Sequence, residues 1–390
     1  MARLDGRIAV VTGAAGGICK SRSGKGRPTG KKETMSLSVE EMNKQLPVAN
    51  ALPGEAVPYY MASGEGARYE INGQLVTVIA RAADTGGIFS AAYVSGGMGA
   101  ESPFVSHSIE HKTLYVFDGI LHVWLPGESR ILTPGDSVVI PPNTPHAYRM
   151  ASHYTRFLNW MTPGGGEAYY ERVGTPIDSH VPPARPGHKA SLQEQAEVGA
   201  EFGITFPDVE RVAPSFKHDA GLPPTQSPYF LSAGEGERLA SYQTMFTYLS
   251  RPANTGSNYF AVHTKGAKSP YIPLHFHSQH TENFLCTEGR MWLYANGREM
   301  LLTKGDFVHA PAGTVHSFAL DAHNTQMVGF LTPSVFNGFF EHFNKPTEDY
   351  IYTEGGEPYM DMEGFGRAQA EMDLTVVGPP PQRRAALDIP

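Results

Sequence analysis

His275-Phe276-His277, followed by Glu282 and later by His316, offers three imidazoles and one carboxylate to a single point. Side chains on a β-strand alternate between its faces, so His-x-His sets two imidazoles on the same face. Glu282, five residues past His277, can reach that point from the next turn or strand. His316 must arrive on a distant strand that folds back. Neutral imidazole and ionised carboxylate suit one divalent metal: Fe, Mn, Ni, Co, Cu or Zn. Glu282 has two roles open to it. It is either a plain ligand, or a ligand that swings away and takes a substrate hydroxyl proton as general base.

The flanking residues make the pattern more specific. Residues 273–289 read PLHFHSQHTENFLCTEG and residues 305–316 read GDFVHAPAGTVH. Together they resemble the two motifs of the cupin superfamily, His-x-His…Glu…Gly and then Gly…Pro-x-Gly…His. Gly289, Gly305, Pro311 and Gly313 fall where that pattern turns between short strands. Such turns need Gly for positive φ or Pro for a fixed φ.

The chain also repeats itself. Pro58-Tyr59-Tyr60-Met61 echoes Pro228-Tyr229-Phe230-Leu231 at an offset of 170 residues (228 minus 58). The same offset pairs Gly119 with Gly289, Gly135-Asp136 with Gly305-Asp306, Pro141 with Pro311, His146 with His316 and Thr162-Pro163 with Thr332-Pro333. A register held without a gap predicts an all-β protein of two tandem cupin barrels, a bicupin with a few short helices. The first copy has lost half of the ligand set. Val105 stands for His275 and Lys112 for Glu282, while His107 and His146 remain. The first barrel is therefore expected to be structural, although Glu110 and His111 lie close enough to build a shifted site.

The expected boundaries are 58–175 for the first barrel and 228–345 for the second, with the metal in the second. Residues 36–57 form an N-terminal arm with a short helix near Ser38 to Gln45. Residues 176–227 form a linker, in which Ser191-Leu192-Gln193-Glu194 reads as a capping box opening a helix to about Glu201. Ser334 to Phe343 reads as a helix whose Phe336, Phe339, Phe340 and Phe343 share a face and could cover one mouth of the pocket. Residues 346–390 read as an extended or disordered C-terminal tail.

Residues 1–18, MARLDGRIAVVTGAAGGI, resemble the opening of a short-chain dehydrogenase, with a strand and then a glycine turn. The third glycine of that pattern would fall at Cys19, and a basic Gly/Ser-rich stretch from Lys20 to Lys32 replaces the helix. No dinucleotide site follows from it. Residues 1–35 are expected to be a disordered remnant or fusion segment, with Met35 a candidate start.

With 390 residues, 41% of them hydrophobic, the chain can build two cores, and 42 Gly and 31 Pro fit many short strands and turns. A net charge of −8 gives no electrostatic case for nucleic acid. No apolar run reaches the roughly 18 residues of a membrane span. Two cysteines, Cys19 and Cys286, make no disulfide framework, so a reducing cytoplasm is the expected compartment. Cys286 reads as a small buried hydrophobe.

Ligands carried on barrel strands would sit in a rigid, apolar pocket. Phe318 and Pro273, two residues from His316 and His275, should share the ligand face; Phe260, Met291 and Met327 come from strands expected to line the same barrel. Residues 58–345 further resemble the quercetin 2,3-dioxygenase group of bicupins, through HFHSQHTENFLCTEGRMWLYA and the strand end Gly329-Phe330-Leu331-Thr332-Pro333 before a Phe-rich segment. The resemblance implies a metal on His275, His277, Glu282 and His316, with Glu282 also the base. It implies Fe2+ first, with Mn2+, Ni2+, Co2+ or Cu2+ open, and an aromatic or enolic small molecule and O2 as partners. That group opens the central ring of a flavonol and releases carbon monoxide. A decarboxylase, another dioxygenase and a non-enzymatic small-molecule-binding cupin stay open beside it, as does a homodimer.

Overall fold

The computed structural model describes residues 38–45, 47–185, 187, 189–355 and 361–382. The segment 1–35 lies outside the described residues. Two copies of one β architecture follow each other, and each sets a large sheet against a smaller one without closing a continuous hydrogen-bonded ring. In the first copy the large sheet orders its strands Thr175–Pro176, Ala67–Ile71, Gln74–Ala80, Ser90–Gly96, Thr155–Thr162, His111–Asp118, Ser137–Ile140 and Tyr229–Leu231. The second orders Lys345–Pro346, Glu237–Ser241, Thr244–Ser250, Phe260–Gly266, Thr325–Thr332, Thr281–Glu288, Phe307–Ala310 and Tyr59–Met61.

The last strand of each large sheet belongs in sequence to the other copy. Tyr59–Met61 pairs with Phe307–Ala310, and Tyr229–Leu231 pairs with Ser137–Ile140. The repeated Gly-Asp pairs explain how the exchange is held. Asp306 accepts from its own turn at the Thr303 amide (2.7 Å) and from the incoming segment at the Ser63 amide (2.7 Å). Asp136 does the same with the amides of Thr133 (2.6 Å) and Ala233 (2.7 Å). Gly135 and Gly305 both sit at φ +94, and a Cβ on Gly135 would come within 2.8 Å of Ala233. Both the left-handed backbone and the close approach therefore require glycine there.

A shared core seals the two copies together. Phe89, Trp160 and Phe330 stack in sequence, with ring centroids 4.1 and 4.3 Å apart, amid buried Tyr59, Tyr229, Tyr259 and Phe307. Cys286 is fully buried among Phe284, Met291, Val308 and Met327, as a small hydrophobe would be.

The repeat runs further than residues 58–163. Helix Leu192–Glu201, capped by Ser191 and Glu194 as predicted, stands 170 residues before helix Met362–Glu371. Strands Ile204–Thr205 and Thr375–Gly378 follow these helices and pair with the segments carrying His107 and His275. The tail is thus neither an extended wrap nor disordered over 361–378. The 334–343 segment also differs from expectation. It forms two short 3-10 turns, Ser334–Phe336 and Phe339–His342, because Gly338 breaks the run at φ +98. Helix Val39–Gln45 forms in the N-terminal arm as expected. Among the described residues no helix is long and apolar enough to cross a membrane.

Candidate metal centre

His275 lies on Leu274–Phe276, directly opposite His316 on His316–Leu320. Glu282 comes from Thr281–Glu288 in the facing large sheet, held between Ala310 and Leu331. His277 follows the His275 strand and turns into the loop before Thr281. One ligand atom from each of His275, His277, Glu282 and His316 lies within 4.8 Å of all the others. The three imidazoles are 1–5% exposed.

Hydrogen bonding fixes which nitrogen faces inward. Nδ1 of His275 donates to the Pro273 carbonyl (2.8 Å), Nδ1 of His316 to the Thr314 carbonyl (2.9 Å), and Nδ1 of His277 to the Asp373 carbonyl. Each Nε2 then carries a lone pair. Nε2 of His316 faces Oε2 of Glu282 at 3.0 Å, and Nε2 of His277 faces Oε1 at 3.6 Å without a hydrogen bond. Acceptor facing acceptor in a buried site is unfavourable unless a cation stands between them. The residues present therefore fit a divalent transition metal with three nitrogen ligands and one oxygen.

The electrostatics agree. Burial, helped by the neighbouring His316, lowers His275 to about 3, and burial takes His277 well below the ordinary imidazole range. Both are neutral ligands at physiological pH. Burial opposes ionisation of Glu282, but positive charge among His277, His280 and His316, the place a metal cation would take, outweighs it and holds the carboxyl well below its usual range.

Two further residues join the cluster. Nδ1 of His280 donates to Asp373 (2.8 Å), and its Nε2 lies 3.9 Å from Glu282 with no hydrogen-bond partner. His277, His280 and Asp373 form a second group of potential ligands. Asp373 also accepts from the amides of Ser278 and Gln279 at 2.8 Å each, and so clamps the loop between His277 and Glu282. Burial works against charging His280, but Asp373 and Glu282 together raise it. His280 was visible in HFHSQH. Asp373 had no local signal, and only the repeat, which pairs it with Gly203, marks its place.

A cavity of about 540 Å3, its opening included, leads to the centre. Phe318 lines it, as expected from strand alternation, and so does Met327 from its barrel strand, together with Phe246, Phe284 and Leu331. Phe336, Phe339 and Phe340 close one side, and the Phe336 ring sits 4.7 Å from that of His277. Phe260, Pro273 and Met291 are not part of this wall. Phe260 shares its strand face with Val262 and Thr264 but lies at the strand end, in the core with Phe336 and Phe365. Met291 is on the Phe318 side of its strand but lies opposite Leu320, past the cavity, where it packs with Leu293 and Leu302. Pro273 precedes its three-residue strand and contributes a carbonyl to His275.

At the same place in the first copy, Val105 bridges His146 as His275 pairs with His316. The backbone frame persists with two of the four candidate ligands, His107 and His146, and without the other two.

A family model for the cupin domain matches the chain twice, over residues 95–160 and 262–328. The chain is 38% identical over 305 residues to a quercetin 2,3-dioxygenase of Bacillus subtilis, covering 78% of this chain and 90% of that one. It is 30% identical over 121 residues to a quercetin 2,3-dioxygenase of Aspergillus japonicus, covering 28% of this chain and 35% of that one. A solved structure, protein Ylba from E. coli, aligns over 74% of this chain and 94% of its own with a TM-score of 0.48 at 11% identity.

Proposed function

The chain belongs to the quercetin 2,3-dioxygenase family of bicupins, and from that premise we propose that its second barrel opens the central ring of a flavonol or a similar hydroxylated aromatic with O2. The observation that carries this reading is the set of three imidazoles with inward lone pairs and one ionised carboxylate at the floor of a phenylalanine-lined cavity. Fe2+ is the metal proposed for His275, His277, Glu282 and His316. Mn2+, Ni2+, Co2+ and Cu2+ suit the same donors. When bound, the metal supplies Lewis acidity toward the enolic oxygen of the substrate and redox contact with dioxygen.

The chain's own residues do the rest. Phe246, Phe284, Phe318 and Phe336 present flat apolar faces that hold an aromatic ring and exclude water from the reacting atoms. Glu282, ionised at neutral pH, is within reach of a hydroxyl brought to the centre and accepts its proton. His280, backed by Asp373, stands behind Glu282 and orients that carboxylate. Among the described residues lining the cavity there is no Arg or Lys, which disfavours a small dianion such as oxalate.

The test is anaerobic metal analysis followed by oxygen uptake on quercetin. One metal per chain, lost in His277→Ala, with oxygen consumed and carbon monoxide released, supports the reading. Metal without oxygen uptake removes the flavonol and leaves the metal centre.

A further inference from the structure

Above the vestigial centre of the first barrel lies a second cavity of about 720 Å3, its opening included. It is not a faded copy of the active one. At equivalent positions, Tyr148 stands for Phe318, Asn159 for Gly329, and Tyr169 and Tyr170 for Phe339 and Phe340. Where the second barrel sets the Glu282 carboxylate, the first sets the Lys112 amine, 5% exposed.

That amine is under-satisfied. A lysine ammonium has three donors. Lys112 uses one, on Nε2 of His107 at 3.2 Å. Among the described residues no carboxylate lies within ion-pair distance of it. Glu110 is on the far side of the His107 ring, with Oε2 3.4 Å from Nδ1 and without a hydrogen bond. His146, its Nδ1 tied to the Thr144 carbonyl (3.0 Å), turns a partnerless Nε2 into the same buried space. The Asn159 side-chain oxygen also lacks a partner. Burial lowers Lys112 only to about 8, so at neutral pH the amine is mostly charged. At the rim, the one carboxylate in the wall, Glu101, is already held by Arg149 (2.7 Å) and Arg211 (2.6 Å). A buried cation with no carboxylate in contact among the described residues, its nearest, Glu110, standing beyond the His107 ring, together with open donors and a cationic rim selects an anion. Walls of Val76, Val94, Leu114 and Phe157 select an apolar body for it.

We propose that the first barrel is a second ligand site, holding a small one-ring aromatic carboxylate with its anionic end on Lys112 and its ring among Val76, Val94, Leu114 and Phe157. This site is independent of the metal centre and of the reaction assigned to it.

The experiment is calorimetric titration of the metal-loaded protein with benzoate, and with benzamide as the uncharged probe of the same shape. Benzoate should bind saturably, benzamide about tenfold or more weaker, and Lys112→Met should lower benzoate affinity by about tenfold or more, as loss of a charged hydrogen-bond partner implies. Lys112→Arg should retain binding, and His275→Ala should leave it unchanged. Should Lys112→Met fail to fold, Leu114→Trp, which fills the space from an apolar position, must produce the same loss. No saturable binding at millimolar benzoate, equal affinity for benzamide, or binding lost in His275→Ala but kept in Lys112→Met would each overturn the proposal. So would a second metal per chain that disappears in His146→Ala.

Discussion

The two barrels hold the same backbone and opposite chemistry. Val105 still bridges His146 as His275 still pairs with His316, and the linker and tail each deliver a helix and a strand to the same edge. Within that common frame, one cavity ends in a carboxylate among imidazoles under phenylalanines. The other ends in an ammonium beside imidazoles under tyrosines and amides. Strand pairing and core packing preserve a frame for their own reasons, so a barrel can lose its ligands without losing its shape. Each barrel's function is then decided by a handful of inward side chains on an unchanged scaffold.

The sharpest way to break the comparison is to exchange those side chains. His275→Val with Glu282→Lys should turn the second centre into the first, removing metal and all turnover. Val105→His with Lys112→Glu should do the reverse and raise metal content toward two per chain, read by elemental analysis. Next in size is Glu282→Gln. Turnover should fall by about 100-fold or more if the carboxylate is the general base, against a metal content measured in parallel. Asp373→Ala, which removes the carboxylate that the first barrel lacks at Gly203, should weaken metal affinity by roughly 10–100-fold, seen in competition with a chelator. Gly329→Asn imports the amide of Asn159 into the phenylalanine wall and should raise KM roughly tenfold while metal binding stays unchanged.

The smallest effect concerns His309, whose counterpart is Val139. Burial lowers His309 to about 3, against about 6.5 in an unfolded chain. Below about pH 6.5 the unfolded state takes up a proton that the folded state refuses, so stability falls as the pH drops toward 3. Nothing is lost to this group above 6.5. His309→Val should therefore flatten the fall in melting temperature between pH 7 and pH 5, a difference of about 2 kcal/mol in stability at pH 5. An unchanged slope would remove His309 from the acid response.

The clustering of His275, His277, Glu282 and His316 and the duplicated barrel were legible because both are written in spacing. His-x-His obeys strand alternation, and Gly-Asp and Thr-Pro recur at a fixed offset. Alternation from His316 put Phe318 in the wall, while the same alternation from His275 picked Pro273, which precedes its strand and does not line the cavity. Phe260 came from the right strand and shares a face with Val262 and Thr264, but it missed because the face does not give the depth along the strand. Met291 missed for the same reason: Leu293 and Ala295 on its face stand opposite Phe318 and His316, but Met291 lies at the far end of the strand, opposite Leu320. Asp373 was hidden for a different reason. Its role depends on a tail that returns about a hundred residues later to the loop it clamps, and no local pattern announces such a contact. The Phe-rich segment looked helical by its aromatic spacing, but Asn337-Gly338 divides it.

The exchanged strands bear on how the chain acquires its shape. When the first barrel has been synthesised it still lacks the edge that Tyr229–Leu231 will supply, and it has set aside Tyr59–Met61 for a partner not yet made. Neither half can be finished ahead of the other. A stop codon between them therefore leaves one unsealed sheet rather than one good domain, and the second barrel depends for its last strand on the first.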